Sequence, residues 1–296
     1  MRKSTNTGFS LIEAVVVIAI MAILAGAAVP LLIKAVNQQR EQRTRSDMKV
    51  AWEAMFGARD RRVVNMRADF GFDPQVNPVD FRFLTNRTGL FPLGQTPPLY
   101  GYDIAGKMFW GWNGPYWVGS VQTSPGFPGG LPVDGWGHPF QLVYNAGNYQ
   151  LVSGGVDGLI PPPNNADNIV YPSSPMPLSA LNSNLTLNVW NKTSTLMTEI
   201  KITVQSKGQW NVLPAPFVYL SCLPTAIPHS TPPAPDLPLL GLNTGGSIRV
   251  PISNLLPGPV SISVVRTAPV SPSPTTTDYT ADLLPGEGRV VDLVID

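Results

Sequence analysis

Glu13 stands out for its chemistry. It is the one carboxylate in a run from Phe9 to Ile33 that is otherwise apolar or small, apart from Ser10 and Pro30. A charge near the end of a helix in hydrocarbon is expensive, so such a group marks a pairing or functional site rather than packing. Few other side chains could act chemically. The two histidines, His138 and His229, lie far apart and supply no zinc constellation. The single cysteine, Cys222, rules out an intrachain disulfide and, within LSCLP, reads as a small buried hydrophobe. No nucleophile–histidine pair or phosphate-cradling glycine loop occurs. Asp278, Asp282, Glu287, Asp292 and Asp296 are scattered, as on a solvated surface. The expectation is a protein that is not an enzyme. Its 20 basic and 19 acidic residues leave no surplus that would call for nucleic acid.

The element that must hold Glu13 is a helix. About 20 apolar residues rising ~1.5 Å each cover a ~30 Å hydrocarbon core, and Phe9–Ile33 is long enough. Arg2 and Lys3 precede it through a polar spacer, whereas a secretory signal would place its cleavage site after the apolar core. Lys34, Arg40, Arg43 and Arg45 follow, so the basic residues alone mildly favour the opposite orientation. Gly26 and Pro30 are expected to kink or open the helix. Beyond Ala35, Met48, Trp52, Met55, Phe56 and Val63 recur at intervals of three and four. One helix is therefore expected from about Phe9 to about Arg67, ~90 Å long. Gly57 is its weak point, at about 1 kcal/mol against Ala.

Gly8-Phe9-Ser10-Leu11-Ile12-Glu13 resembles the class III leader of type IV prepilins and type II secretion pseudopilins. The resemblance implies cleavage after Gly8 by a prepilin peptidase and methylation of Phe9. It implies a single-pass protein of the inner membrane with its body outside, and assembly with other pilins or pseudopilins. In the filament the Phe9 amine of one subunit would meet the Glu13 carboxylate of another, and Pro30 matches a Gly/Pro position of the family. A second stretch, Asp134-Gly-Trp-Gly-His-Pro-Phe-Gln followed by Tyr149-Gln-Leu-Val-Ser-Gly-Gly-Val-Asp157-Gly158, is similar to the C-terminal part of major pseudopilins. Read from its residues, FQLVY and YQLVS form a hairpin across NAGN, with His138 in a turn. The resemblance implies a calcium ion in the following loop, on Ser153, Asp157, Asn165 and Asp167. Calcium takes roughly six to eight oxygens. Asn165 stands where a further carboxylate is usual, and Pro161, Pro162 and Pro163 replace a glycine-rich acidic stretch.

The chain thus divides into a leader (1–8), a pilin-type helix (9–68, membrane-spanning over about 9–34), a pilin-like globular domain (69–172), a linker (173–180) and a β-sandwich (181–296). The fold class is α+β: a long helix on a small antiparallel β domain, then an all-β sandwich. Trp110, Trp112 and Trp117 with Tyr100, Tyr102 and Tyr116 are expected to be core and packed loop, with a sugar-binding platform as the alternative. In the last region Leu185/Leu187/Val189, Ile200/Ile202/Val204, Ile248/Val250/Ile252, Val260/Ile262/Val264 and Val291/Leu293/Ile295 alternate, which predicts about seven antiparallel strands. The functional expectation is a structural subunit of a type II secretion pseudopilus or type IV pilus-like filament. The alternative is a membrane-anchored or filament-displayed adhesin whose β-sandwich binds carbohydrate.

Overall fold

The computed structural model describes residues 11–72, 81–87, 97–104, 107–117, 119–124, 127–160, 167–191, 200–207, 217–222, 247–266 and 275–295. Gly8, Phe9 and Asn165 lie outside the described residues. Helix α1 (Leu11–Phe56) has 46 residues, about 69 Å at ~1.5 Å per residue. It runs unbroken through Gly26 and Pro30. One lost backbone hydrogen bond among Leu, Ala and Ile does not stop a helix.

The helix is shorter than its periodicity suggests. It stops at Phe56, because Gly57 takes φ +86°. A Cβ there would stand 2.6 Å from Cγ of Pro285 and 2.9 Å from Nδ2 of Asn65. Tertiary contact rather than the modest intrinsic cost of glycine decides the end. The chain then turns into a second helix, α2 (Met66–Phe70). The Asn65 side chain caps it by accepting the Ala68 amide at 2.8 Å, and Gly71 closes it at φ +72°. Val63, the one member of the apolar recurrence past residue 60, lies in the non-helical stretch between α1 and α2.

Around the end of α1 sit two two-stranded ribbons, β1 (Gly101–Asp103) with β2 (Met108–Trp110) and β3 (Val121–Ser124) with β4 (Phe127–Pro132). A three-stranded sheet completes the unit: β5 (Gln141–Asn145), β6 (Asn148–Ser153) and β7 (Ile169–Pro177), in that order and antiparallel. The expected hairpin is β5–β6, turning through Ala146 and Gly147 at φ +49° and +87°. Met48, Trp52, Phe56, Phe70, Tyr149 and Leu151 share one core, so the rear of α1 is part of the domain it carries. The expected linker at 173–180 is instead the second half of β7 plus a 3-10 turn, Leu178–Leu181. Its prolines fit because β7 is an edge strand, where a missing N–H costs no ladder bond.

The C-terminal region forms two sheets over one core. β10 (Phe217–Cys222), β9 (Ile200–Lys207), β12 (Gly258–Arg266) and β13 (Thr275–Leu283) make one, in that order. β11 (Ser247–Leu255), β8 (Ser183–Asn191) and β14 (Gly288–Ile295) make the other. Leu185, Leu187, Val189, Ile202, Val204, Val260, Ile262 and Leu293 are buried between them, as strict alternation requires. One pairing departs from expectation: β14 runs parallel to β8, Gly288 opposite Asn184 through Ile295 opposite Asn191.

This module is seated on the far end of the first unit. Gly258 (φ +113°) backs onto Ala68, where a Cβ would lie 2.5 Å from the carbonyl oxygen. Lys107 pairs with Asp278 at 2.8 Å and Arg62 with Asp282 at 3.4 Å, while Arg67 and Arg59 hold the connecting turn through Asn182 Oδ1 at 2.5 Å and the Ala180 carbonyl at 3.0 Å.

Candidate functional site

Two features of α1 bear on function: an uncovered front and a gripped rear. Over the front, Leu11, Ile18, Ile23 and Leu31 are 83%, 65%, 73% and 69% exposed, and none of the most apolar stretch is buried. A soluble protein's core helix would be covered by its own chain. This one is long and apolar enough to cross a membrane and offers its surface to lipid or to other helices. Glu13 lies on this front, exposed and in the first turn.

The rear is held by the Asp134 turn. Thr44, wholly buried, donates to the Arg40 carbonyl at 2.9 Å and accepts the Gly135 amide at 2.9 Å. Only glycine allows this approach, because a Cβ at position 135 would stand 2.5 Å from the Arg40 oxygen. Asp134, 3% exposed, organises the turn. Its Oδ1 accepts the amides of Trp136 and His138, both at 2.9 Å, and its Oδ2 accepts the Ser153 hydroxyl at 2.6 Å. Arg43 donates to Ser120 Oγ, adding a second tie between helix and body. Nearby Asp47 is pushed above the usual carboxylate range by burial, which Arg43 partly offsets.

The loop after β6 grows from the same turn. Ser153 Oγ accepts the Gly155 amide at 3.2 Å, and Nδ1 of His138 lies 3.0 Å from the Gly155 carbonyl oxygen. The imidazole covers Gly158, where a Cβ would meet the ring at 2.8 Å. His138 is therefore a turn residue that also pins the loop. Asp157 Oδ1 accepts the Leu159 amide at 2.9 Å and Asp167 Oδ2 the Val156 amide at 3.2 Å. Of the four oxygen ligands expected for calcium, Asp157 and Asp167 share this loop, Ser153 is turned to Asp134, and Asn165 is not described. Among the described residues no group of three His, Cys, Asp or Glu converges to hold a metal. One carboxylate oxygen of each of Asp157 and Asp167 accepts an amide of the loop itself.

The aromatic stretch divides. Tyr116 and Trp117 are buried in the core, with Trp110 and Trp112 packed against it. The Tyr116 hydroxyl donates to Asp69 at 3.0 Å, and burial beside that carboxylate pushes the phenol far up. Tyr100, Tyr102 and Phe109 remain exposed, with Tyr100 and Phe109 stacked at 5.9 Å. The Thr44–Gly135 contact, 91 residues apart, was not visible in the sequence. Its only trace is the glycine following Asp134.

Residues 3–29 match the prokaryotic N-terminal methylation motif. The chain carries a prepilin-type leader. The match takes in Gly8, Phe9 and Glu13 and ends one residue short of Pro30, so it covers the uncovered front of α1 and none of the body. No curated protein and no solved structure matches the chain. Motif and fold together describe an N-terminal methylation motif at the head of a membrane-capable helix, followed by a β-rich extension.

Proposed function

We propose that the protein is a structural subunit of a type II secretion pseudopilus or type IV pilus-like filament, not an enzyme. It waits in the inner membrane on α1, is cut after Gly8 by a prepilin peptidase, gains a methylated Phe9 amine, and enters a bundle with other pilins or pseudopilins. The observation that carries this reading is that no residue of the apolar front of α1 within the matched motif is buried. A helix gripped only at its rear can exchange lipid for neighbouring helices without unfolding the body. Lipid tails are as apolar as neighbouring helices, so the apolar side chains stay out of water in both settings and the preference is set by packing between helices and by polar pairs. The Phe9 amine and a neighbour's Glu13 pair two charges that are costly alone, and so fix the axial stagger. Glu13→Ala is expected to be cleaved and membrane-bound yet excluded from filaments. Normal incorporation of that variant would overturn the pairing, and retention of Met1 in cells with active peptidase would overturn the processing.

A second reading is favoured by one observation, the exposed Tyr100–Phe109 stack with Tyr102 edge-on to Phe109 at 5.2 Å. Flat rings with polar rims suit a sugar face. A filament-displayed adhesin would then bind through this hairpin, and glycan-array binding abolished by Tyr102→Ala would support it.

A further inference from the structure

The loop that follows β6 does more than close the domain. Counting from Leu11, the apolar front reaches Ile33 after about 33 Å of helix, close to the ~30 Å depth of a hydrocarbon core. The membrane boundary therefore falls near Ile33 and Lys34. Pro30, Ile33 and Lys34 form one wall of a groove whose other wall includes Trp136 and Val156. The loop after β6 thus borders the stretch of α1, from Pro30 to Arg45, that leaves the span. Two of its described residues are apolar and open: Val156 is 55% and Leu159 60% exposed. The acidic groups at the groove are engaged, Glu41 with Arg45 at 2.8 Å and Asp167 with the Val156 amide. Lys34 stands at the rim, suited to anionic headgroups.

We propose that this loop is a foot on the bilayer that α1 spans, with Val156 and Leu159 entering the headgroup–acyl boundary beside Lys34. The occupant is a lipid surface because the groove continues directly from the spanning helix, and two aliphatics beside a half-buried Trp have the composition of an interfacial contact. Since the turn that carries the foot also grips Thr44, the foot sets the height and tilt of the whole body over the membrane before assembly. The inference rests on the membrane-stored state proposed above.

The test uses the full chain with Cys222→Ser, reconstituted in phosphatidylethanolamine–phosphatidylglycerol vesicles. A nitroxide is attached in turn at Val156→Cys, Ile20→Cys and Val290→Cys. Val290 is 54% exposed on β14, in the module seated beyond the far end of α1. The ratio of collisions with oxygen to collisions with a water-soluble nickel complex reports depth. The expected order is position 20 highest, position 156 several-fold above position 290, and position 290 aqueous. Equal values at 156 and 290 with position 20 still deep would overturn the foot and leave the membrane-stored state standing. An aqueous value at position 20 would overturn both. Dipolar broadening at 156 that vanishes on dilution with unlabelled protein would show a second copy covering the loop, and would also overturn the foot.

Discussion

The two halves of α1 share one backbone and differ in everything their side chains touch. From Leu11 to Ile33 the large apolar side chains stand exposed, while Met48, Ala51, Met55 and Phe56 are 0–1% exposed. The front is apolar all round, as a surface meant for lipid or for many neighbours must be. The rear is covered by its own chain, on one face at Thr44 and Met48 and all round from Ala51 to Phe56. A helix of this kind is a detachable element fused to a permanent one. Mutations should therefore separate cleanly, those in the rear acting on stability and those in the front on location and assembly.

The largest expected effect is in the rear. Phe56 is fully buried among Trp52, Phe72 and Tyr149, with ring centroids 4.6–6.4 Å away. Phe56→Ala should cost about 3–5 kcal/mol of unfolding free energy in a denaturant titration of the detergent-solubilised chain. Ile20→Ala, in the front, should leave the same midpoint unchanged. If the front variant moves it comparably, the two halves are not separate devices.

Next in size is the grip. Gly135→Ala places a methyl 2.5 Å from the Arg40 oxygen and should cost about 1–3 kcal/mol through forced displacement of backbone. Thr44→Val keeps the shape but leaves the buried Gly135 amide without its acceptor, at about 1–3 kcal/mol. Hydrogen exchange at Gly135 should quicken in both variants while the C-terminal module stays protected. Loss of protection throughout would mean that the grip is only one part of a common core.

A smaller effect concerns the seam between the two β units. Hydrogen bonds from Lys107 and Ser263 hold the Asp278 carboxyl below its usual range. Because its folded-state pKa is depressed, the stabilisation is present above the unfolded value near 3.8 and fades as pH falls through the folded one. Asp47, raised by burial, works the other way and gains as pH falls toward its own pKa. Acidification to about pH 3 should therefore loosen the seam before it loosens the rear of α1. Lys107→Ala should flatten the seam's acid response, read as protection of β12 and β13 amides against pH.

What could be read in advance follows from how local its cause is. The front of α1, Glu13 and the alternating strands of the C-terminal module are written in runs of neighbours, and each stands where its pattern puts it. The end of α1 is not local. Glycine's cost within a helix is about 1 kcal/mol, too small to predict a stop, and the neighbours that leave no room for a side chain at Gly57, Pro285 and Asn65, are distant or non-helical in sequence. The prolines of β7 read as a linker because an edge strand and a linker tolerate the same residues. The parallel seat of β14 on β8 leaves no mark on either strand's alternation. At the site, the Asp134 motif was legible while its job was not, since Thr44 sits on another element and looks like any helical threonine.

The smallest expected effect lies in the loop where calcium was expected. Ser153 is committed to Asp134, and one oxygen of each loop carboxylate already accepts an amide. His138 spans the opening by bonding the Gly155 carbonyl and covering Gly158. The described part of the loop is already held by its own amides and an imidazole, and an ion stabilises only as far as it binds the folded form better than the unfolded. Thermal unfolding of the chain in EGTA and in excess calcium should therefore coincide, while His138→Ala should increase proteolysis between β6 and β7. A rise of several degrees with calcium, lost in Asp157→Ala, would show that residues 161–166 complete a cage, and would make this loop rather than the Thr44 grip the device that sets the body against the helix.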